Sequence, residues 1–314
     1  MEITEFLENT YKNELKNQDT RYFILDTTGK KHKDIDFVEY AYRKEKYNLL
    51  RENDLFIYRR PQKFSDNQQF YFFGCGRIKK LDFSKLETGQ TQIIAQIDKP
   101  VVFDEWIFQN DLIDYRWEWK EKKNNSFLQF FNNYGMNRIP KEDFLYLINL
   151  GVTEAKENTE TNEAEVKFIK QIQIEHYKVP DKYTNTKTRG AAQKIFSNKL
   201  KEIYNGECCI TGIRTKGLLV GSHIIPWSKN EDIRLDPQNG LLLSVLVDKL
   251  FDLGLIFIDN DYKVLFQEKI KKDEFLYQEI KKFEGRKIKL PERKYRPNTE
   301  FLKFHRNMHL NIHQ

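Results

Sequence analysis

Fifty residues, Cys209–Ile258, constrain the fold of this chain more than all the rest of it. LLVGSHII reads as a short apolar strand carrying a single histidine, His223, and Pro226 ends it. A polar, charged loop follows, SKNEDIRLDPQ, and Asn239-Gly240 signals a turn into a second apolar strand, LLLS. SVLVDKLFDLG then has helical spacing. Its Val245, Val247, Leu250 and Phe251 cannot all lie on one narrow face, which predicts a largely buried helix with Gly254 as its C′ residue. Asp248 and Asp252 stand four apart and share a face. Two antiparallel strands packed on a helix would set His223 against those two carboxylates.

Taken singly, these residues say little. A lone histidine on an apolar strand is usually just packed, and two aspartates on a helix are usually a solvated face. Their joint order points to chemistry. Paired carboxylates suit Mg2+ or Mn2+, which keep open positions for water and phosphate. A neutral imidazole beside them can deprotonate a water near neutral pH. Together they make a kit for metal-assisted phosphodiester hydrolysis.

At these residues the chain resembles the HNH, or ββα-metal, nucleases, and within them a bacterial restriction-type branch. The similar runs are CITG (Cys209–Gly212), SHIIPW (Ser222–Trp227), DPQNGLLL (Asp236–Leu243) and DKLFDLGLI (Asp248–Ile256), in that order. A lead-in, RGAAQKIFSNKL from Arg189, and a tail, FLKFHRN (Phe301–Asn307), extend the resemblance to roughly Arg189–Arg306. It implies that His223 is the general base and that Asn239 braces the loop orienting it. Asp248 stands in the second histidine position as the implied metal ligand, with Asp252 a further one. Ser222 fills the position before the base, where many relatives place a metal ligand, so the remaining coordination is open. His305 and Arg306 are candidate contacts to DNA phosphate, with a structural role as the equal alternative for His305. Cys209 opens what would be a zinc-knuckle pair, but Gly212 stands at its end, so no structural zinc is expected.

Before this segment the chain has a different character. LFIYRR (Leu55–Arg60), QQFYFFGCGRI (Gln68–Ile78) and QIIAQI (Gln92–Ile97) read as strands, and VVFDEWIF resumes as another after Pro100. NSFLQFF and KEDFLYLINL have helical spacing. The polar, acidic stretch TEAKENTETNEAE from Thr153 reads as a solvated helix or linker. RGAAQKIFSNKLKEIYNG places Phe196, Leu200 and Ile203 on one helical face, with Gly206 as a stop. The expected organisation is α+β: a β-rich domain over residues 1–150, a linker over 151–188, and the HNH domain over 189–314.

The N-terminal layout is similar to PUA-like modules, including the EVE and SRA-related domains joined to HNH nucleases in modification-dependent restriction enzymes. Those modules flip a modified base into an aromatic cage, and the candidate cage residues here are Tyr40, Tyr42, Trp106, Trp117 and Trp119, with core or edge packing as the alternative for each. Tyr115, Trp117 and Trp119 would share a face if extended. Arg59, Arg60 and Arg77 are candidates for the flanking phosphates. The C-terminal segment from Asp181 carries 25 Lys and Arg against 17 Asp and Glu, a net +8 that leaves −2 for the rest. That asymmetry fits a polyanionic partner.

The expectation is a Mg2+- or Mn2+-dependent endonuclease acting on double-stranded DNA, its cleavage dependent on a modified base. Cutting both strands with one site per chain suggests a homodimer. Two alternatives are a conventional sequence-specific restriction enzyme and a non-catalytic nucleic-acid-binding protein with a degenerate HNH fold. With no signal peptide and no apolar run of membrane-spanning length, the expected setting is the cytoplasm, away from any membrane.

Overall fold

The aromatic and β-branched runs of the N-terminal part pair into one six-stranded mixed sheet. A computed structural model describes residues 3–28, 35–44, 50–119, 122–123, 130–131, 135–153, 159–181 and 186–310. It divides into two compact units, one ending at Gln173 and the other beginning at Ile174. In the first, a helix α1 (Ile3–Lys16) precedes β1 (Tyr22–Asp26), β2 (Glu39–Arg43), β3 (Leu55–Arg60), β4 (Tyr71–Lys85) and β5 (Thr91–Phe108). Two short strands, β6 (Arg116–Trp117) and β7 (Lys122–Lys123), pair only with each other. β8 (Met136–Ile139) completes the main sheet, ordered β2-β5-β4-β3-β1-β8. β1 and β3 run parallel, and the other neighbours are antiparallel.

Both faces of this sheet are covered, which explains its aromatic content. Along β3, Leu55 and Ile57 point into a core shared with Phe72, Phe103, Trp117 and Phe144. Phe56 and Tyr58 point the other way, where Tyr58 stacks on Phe73 at 5.4 Å. Burial on both faces removes the hydrophobic-polar alternation of a half-solvated strand.

Pro100 does not break the chain into two strands. β5 runs through it, and the ladder to β4 slips there, between Cys75 and Arg77. Lys99, with φ +47, takes up the bulge. A proline cannot donate to a ladder, so a bulge is where a sheet tolerates one.

The acidic stretch, expected as a solvated helix or a linker, is from Thr159 onward a packed helix of the first unit. α2 (Lys141–Gly151) and α3 (Thr159–Gln173) both belong to that unit. α3 buries Val166, Phe168 and Ile169, and the Asn162 side chain satisfies the Val102 amide and the Pro100 carbonyl at the β5 bulge. The border is therefore near residue 173, inside the 151–188 segment expected to join the domains, and the part of that segment up to Gln173 belongs to the first unit. The NSFLQFF helix expected from Asn125 lies outside the described residues, except for Phe130 and Phe131.

The second unit begins with α4 (Thr186–Ile203), followed by β9 (Leu219–His223), β10 (Gly240–Ser244) and α5 (Val245–Asp252). β11 (Ile256–Ile258) and β12 (Val264–Phe266) form a small hairpin; α6 (Glu274–Ile280) and α7 (Thr299–Leu310) close the unit. Phe196, Leu200 and Ile203 are buried along α4 as their spacing predicts. α5 is less buried than predicted: Val247, Leu250 and Phe251 face inward, but Val245 and Leu246 are half exposed. Asn239-Gly240 is not a tight hairpin turn either. Gly240 is extended and already pairs with His223, so the whole loop from Ile224 to Asn239 joins the strands.

Candidate active site

β9 is short, and its alternation decides which side chains meet α5 and which meet α4. His223 is its last residue, paired with Gly240 across the hairpin. Its ring lies flat on Phe196 of α4, centroids 4.0 Å apart and planes 6° apart. Ser222, the preceding residue, points the other way and hydrogen-bonds the Asp248 carboxyl of α5. The carboxylate helix thus meets β9 through Ser222, rather than through His223 as the sequence led one to expect. Base and carboxylates flank the strand end from adjacent residues.

The imidazole is held from three sides. Phe196 stacks on it, and Trp227 stands edge-on at 5.9 Å. Its Nε2 lies 2.8 Å from the Arg234 carbonyl oxygen, to which only an N–H can donate. That bond fixes the tautomer and leaves Nδ1 as the unprotonated nitrogen. Burial lowers the His223 pKa to about 4, and the Arg189 and Arg234 charges push it the same way, so the ring is a free base throughout the neutral range.

Asn239 ties down the loop that follows the base. Its Oδ1 accepts from the Ile225 amide at 2.8 Å, its Nδ2 donates to the Ile225 and Ile233 carbonyls, and its own carbonyl accepts from Ile224. Arg234 is buried and fully engaged. It donates to the Trp227 and Val179 carbonyls and to Asp181, while its guanidinium covers the Trp227 ring at 4.6 Å.

Asp248 and Asp252 do share a face of α5. Burial raises both carboxyl pKa values; the negative charge of Asp248 raises that of Asp252 further, and Ser222 partly offsets the shift at Asp248. Two oxygen-donor groups left under mutual repulsion fit a hard divalent cation, which would relieve it. Among the described residues no three His, Cys, Asp or Glu side chains gather as a metal group. A cation held by this pair would take most of its ligands from water or substrate, which suits Mg2+ or Mn2+. α5 ends at Gly254, in the left-handed region at φ +62, as its sequence position predicts.

Other expected contacts are corrected. His305 is buried and stacks on Phe251 at 3.8 Å, so its ring serves the core between α7 and α5. Arg306 donates to the Ile258 carbonyl and to Asn260, pinning α7 to the end of β11. In the first unit Arg59 forms a two-point ion pair with Asp26, its direct neighbour across the β1–β3 ladder, and lies over Phe131. Arg60 is buried against Asp36, and Arg77 is shared between Asp98 and Glu14. Each guanidinium is thus paired with a carboxylate of the first unit.

The expected cage also dissolves into the core. Trp117 is fully buried among Phe72, Phe130 and Phe131. Trp106 stacks on Tyr71 at 4.7 Å; Tyr40 and Tyr42 are buried, with hydroxyls on the Gly135 carbonyl and the Leu50 amide. Tyr115, Trp117 and Trp119 do not line one face. The chain turns around the buried Asp143, which accepts from the Tyr115 hydroxyl and from the Glu118 and Trp119 amides. Of the five cage residues, Trp119 alone keeps partial exposure, packed against Phe130.

Residues 208–259 match the family model described as HNH endonuclease, and they span the β9–β10–α5 site. The chain therefore carries an HNH endonuclease domain. A solved structure described as a modification-dependent TagI restriction endonuclease is matched over 91% of this chain and 80% of that one. The identity is 12% and the TM-score 0.26, a superposition too loose to bear on fold or function. No curated protein matches the chain. Among the described residues, no helix is long and apolar enough to cross a membrane.

Proposed function

We propose that the chain is a restriction-type endonuclease that hydrolyses phosphodiester bonds of double-stranded DNA in the cytoplasm. The observation that carries this reading is the locked imidazole within the HNH match: Nε2 is committed to the Arg234 carbonyl and Nδ1 is left to accept a proton. Nδ1 of His223 takes a proton from water, and the water oxygen bonds to phosphorus. The bond to the leaving sugar oxygen breaks, and that oxygen takes up a proton from solvent. Asp248 and Asp252 would hold Mg2+ or Mn2+, which supplies positive charge for the phosphoryl and leaving oxygens. Asn239 and Phe196 hold the base in place, and a second copy of the chain cuts the other strand.

In this reading the N-terminal unit is PUA-like and reads the DNA, with Trp119 as the stacking surface for a flipped, modified base. A second reading, a conventional sequence-specific enzyme, is favoured by the burial of Tyr40, Tyr42, Trp106 and Trp117, which leaves only Trp119 of the five candidates partly exposed. Plasmid nicking with Mg2+, Mn2+ or chelator tests the nuclease. Matched methylated, hydroxymethylated and unmodified substrates separate the two readings. No nicking with either metal on any substrate would overturn both.

A further inference from the structure

Arg189 stands apart from the other arginines near His223. It occupies the second turn of α4 and is exposed. Three residues of that helix lie at i, i+4 and i+7 and so share one face. Phe196 stacks on His223, the Gln193 side chain donates to the Gly221 carbonyl of β9 at 2.8 Å, and Arg189 reaches over the Trp227 ring at 5.8 Å. A Cβ at Gly221 would come within 2.7 Å of Ser197, so α4 lies directly on β9 and cannot shift along it freely. The helix that seats the imidazole therefore also aims Arg189 along the same side of the strand end.

Trp227 has two guanidinium neighbours of different kinds. Arg234 is buried and bonded to two carbonyls and Asp181. Arg189 is exposed, and among the described residues no carboxylate pairs with it. Its charge still reaches the His223 ring, opposing the cationic form. An exposed guanidinium beside a neutral base, with no carboxylate partner among the described residues, is available to an anionic substrate. Guanidinium is also the group whose planar fork matches phosphate oxygens two at a time.

We infer that Arg189 is a phosphate-binding residue that holds a DNA phosphate beside His223, with Trp227 as the platform that orients its guanidinium. The inference rests on the nuclease reading of the His223 site. It requires Arg189 to touch a phosphate oxygen, so its loss should be felt both in binding and in cleavage.

The experiment uses the full chain and four proteins: wild type, Arg189→Met, Arg189→Lys and His223→Ala. Methionine keeps an unbranched apolar stem over Trp227 and removes the charge; lysine keeps the charge and loses the fork. DNA affinity is measured in Ca2+ across a salt series, and nicking of plasmid at saturating enzyme in Mg2+ or Mn2+. Losing one phosphate contact should reduce the slope of log K against log salt by about one in Arg189→Met, with Arg189→Lys keeping the wild-type slope. Nicking by Arg189→Met should fall about 100-fold, the usual consequence of losing one charge-stabilising donor. Thermal melting checks that all four are folded, and only folded variants are scored. An unchanged salt slope, or wild-type nicking by Arg189→Met, overturns the inference and assigns Arg189 to packing. If wild type fails to nick while His223→Ala is indistinguishable from it, the nuclease reading fails instead, and the salt slope still decides whether Arg189 meets phosphate.

Discussion

The two units treat the same side chains in opposite ways. In the first, Arg59, Arg60 and Arg77 close on Asp26, Asp36, Asp98 and Glu14, and its large aromatic rings fill both faces of a sheet. In the second, one nitrogen of His223 is committed and the other is free, Arg189 is unpaired among the described residues, and two carboxylates repel each other on α5. Closed pairs hold a fold together; half-closed ones are left for something else to complete. Removing a polar group from the first unit should therefore cost stability, and removing one around β9 should cost chemistry.

That contrast can be broken in several ways. The largest effect is expected for His223→Ala, which should lower plasmid nicking by ~10²–10⁴-fold, the usual worth of a general base, with DNA affinity within about twofold. Nicking at a tenth of the wild-type rate or better would remove His223 from the chemistry. On the other side, Arg60→Ala breaks a buried ion pair and leaves Asp36 with the Gln173 amide and the Lys170 charge, and should destabilise the protein by about 3 kcal/mol. Chemical denaturation reads this directly, and the nicking rate per folded molecule should stay at the wild-type value. A slower folded fraction would mean that the first unit takes part in the chemistry.

Acid acts on the core histidine and the site histidine alike. Burial holds His305 at a pKa of about 3 and His223 at about 4, both below the ordinary 6.5. Above 6.5 both rings are neutral in either state and their contribution to stability is complete. As pH falls through 6.5 toward those folded values, the unfolded chain takes up protons that the native one refuses. Stability then drops by up to ~1.4 kcal/mol per pH unit for each ring. Urea midpoints at pH 7, 5.5 and 4.5 should fall, and less steeply in His305→Gln. Equal slopes in the two proteins would count against the buried neutral ring.

Asp252→Ala should slow nicking about 10- to 100-fold, by weakening metal affinity, while leaving the melting temperature unchanged or slightly higher, because it removes a repelled and exposed carboxylate. The smallest effect concerns Trp119. If it stacks on a flipped base, Trp119→Ala should reduce the preference for a modified duplex roughly tenfold, as ~1.4 kcal/mol implies. Anisotropy titrations on matched duplexes measure it, and a wild-type protein indifferent to modification would favour the conventional enzyme.

What was legible in the sequence was local. The strand, loop, strand and helix of the site lie within one short stretch, so the spacing of His223, Asn239, Asp248 and Asp252 could be read without knowing how distant parts meet. Even there, the period-two alternation of β9 was available but unused: it puts Ser222, not His223, toward α5. Arg189, Gln193 and Phe196 were also readable as one helical face, though nothing local says what that face covers. The first unit was harder. A strand buried on both sides has no alternation to announce which aromatics are covered, so Trp106 and Trp117 look like a cage until the second layer is seen. α3 was legible as a helix or linker but not as a packed element, because its first turns are acidic and its buried apolar residues, Val166, Phe168 and Ile169, come only in its second half.

The clasp made by Asn239 has a consequence for remodelling the protein. By joining Ile225 and Ile233 it closes the neck of the loop, and beyond the neck only Trp227 touches the imidazole among the described residues, so the excursion can lengthen past Trp227 while the ring keeps its contacts. Ser228, Lys229 and Asn230, at its tip, are exposed. Loop closure grows only slowly with length, each doubling costing about 0.6 kcal/mol. A graft of several residues at this tip, a reporter or a new binding element, would therefore ride beside the base without moving it.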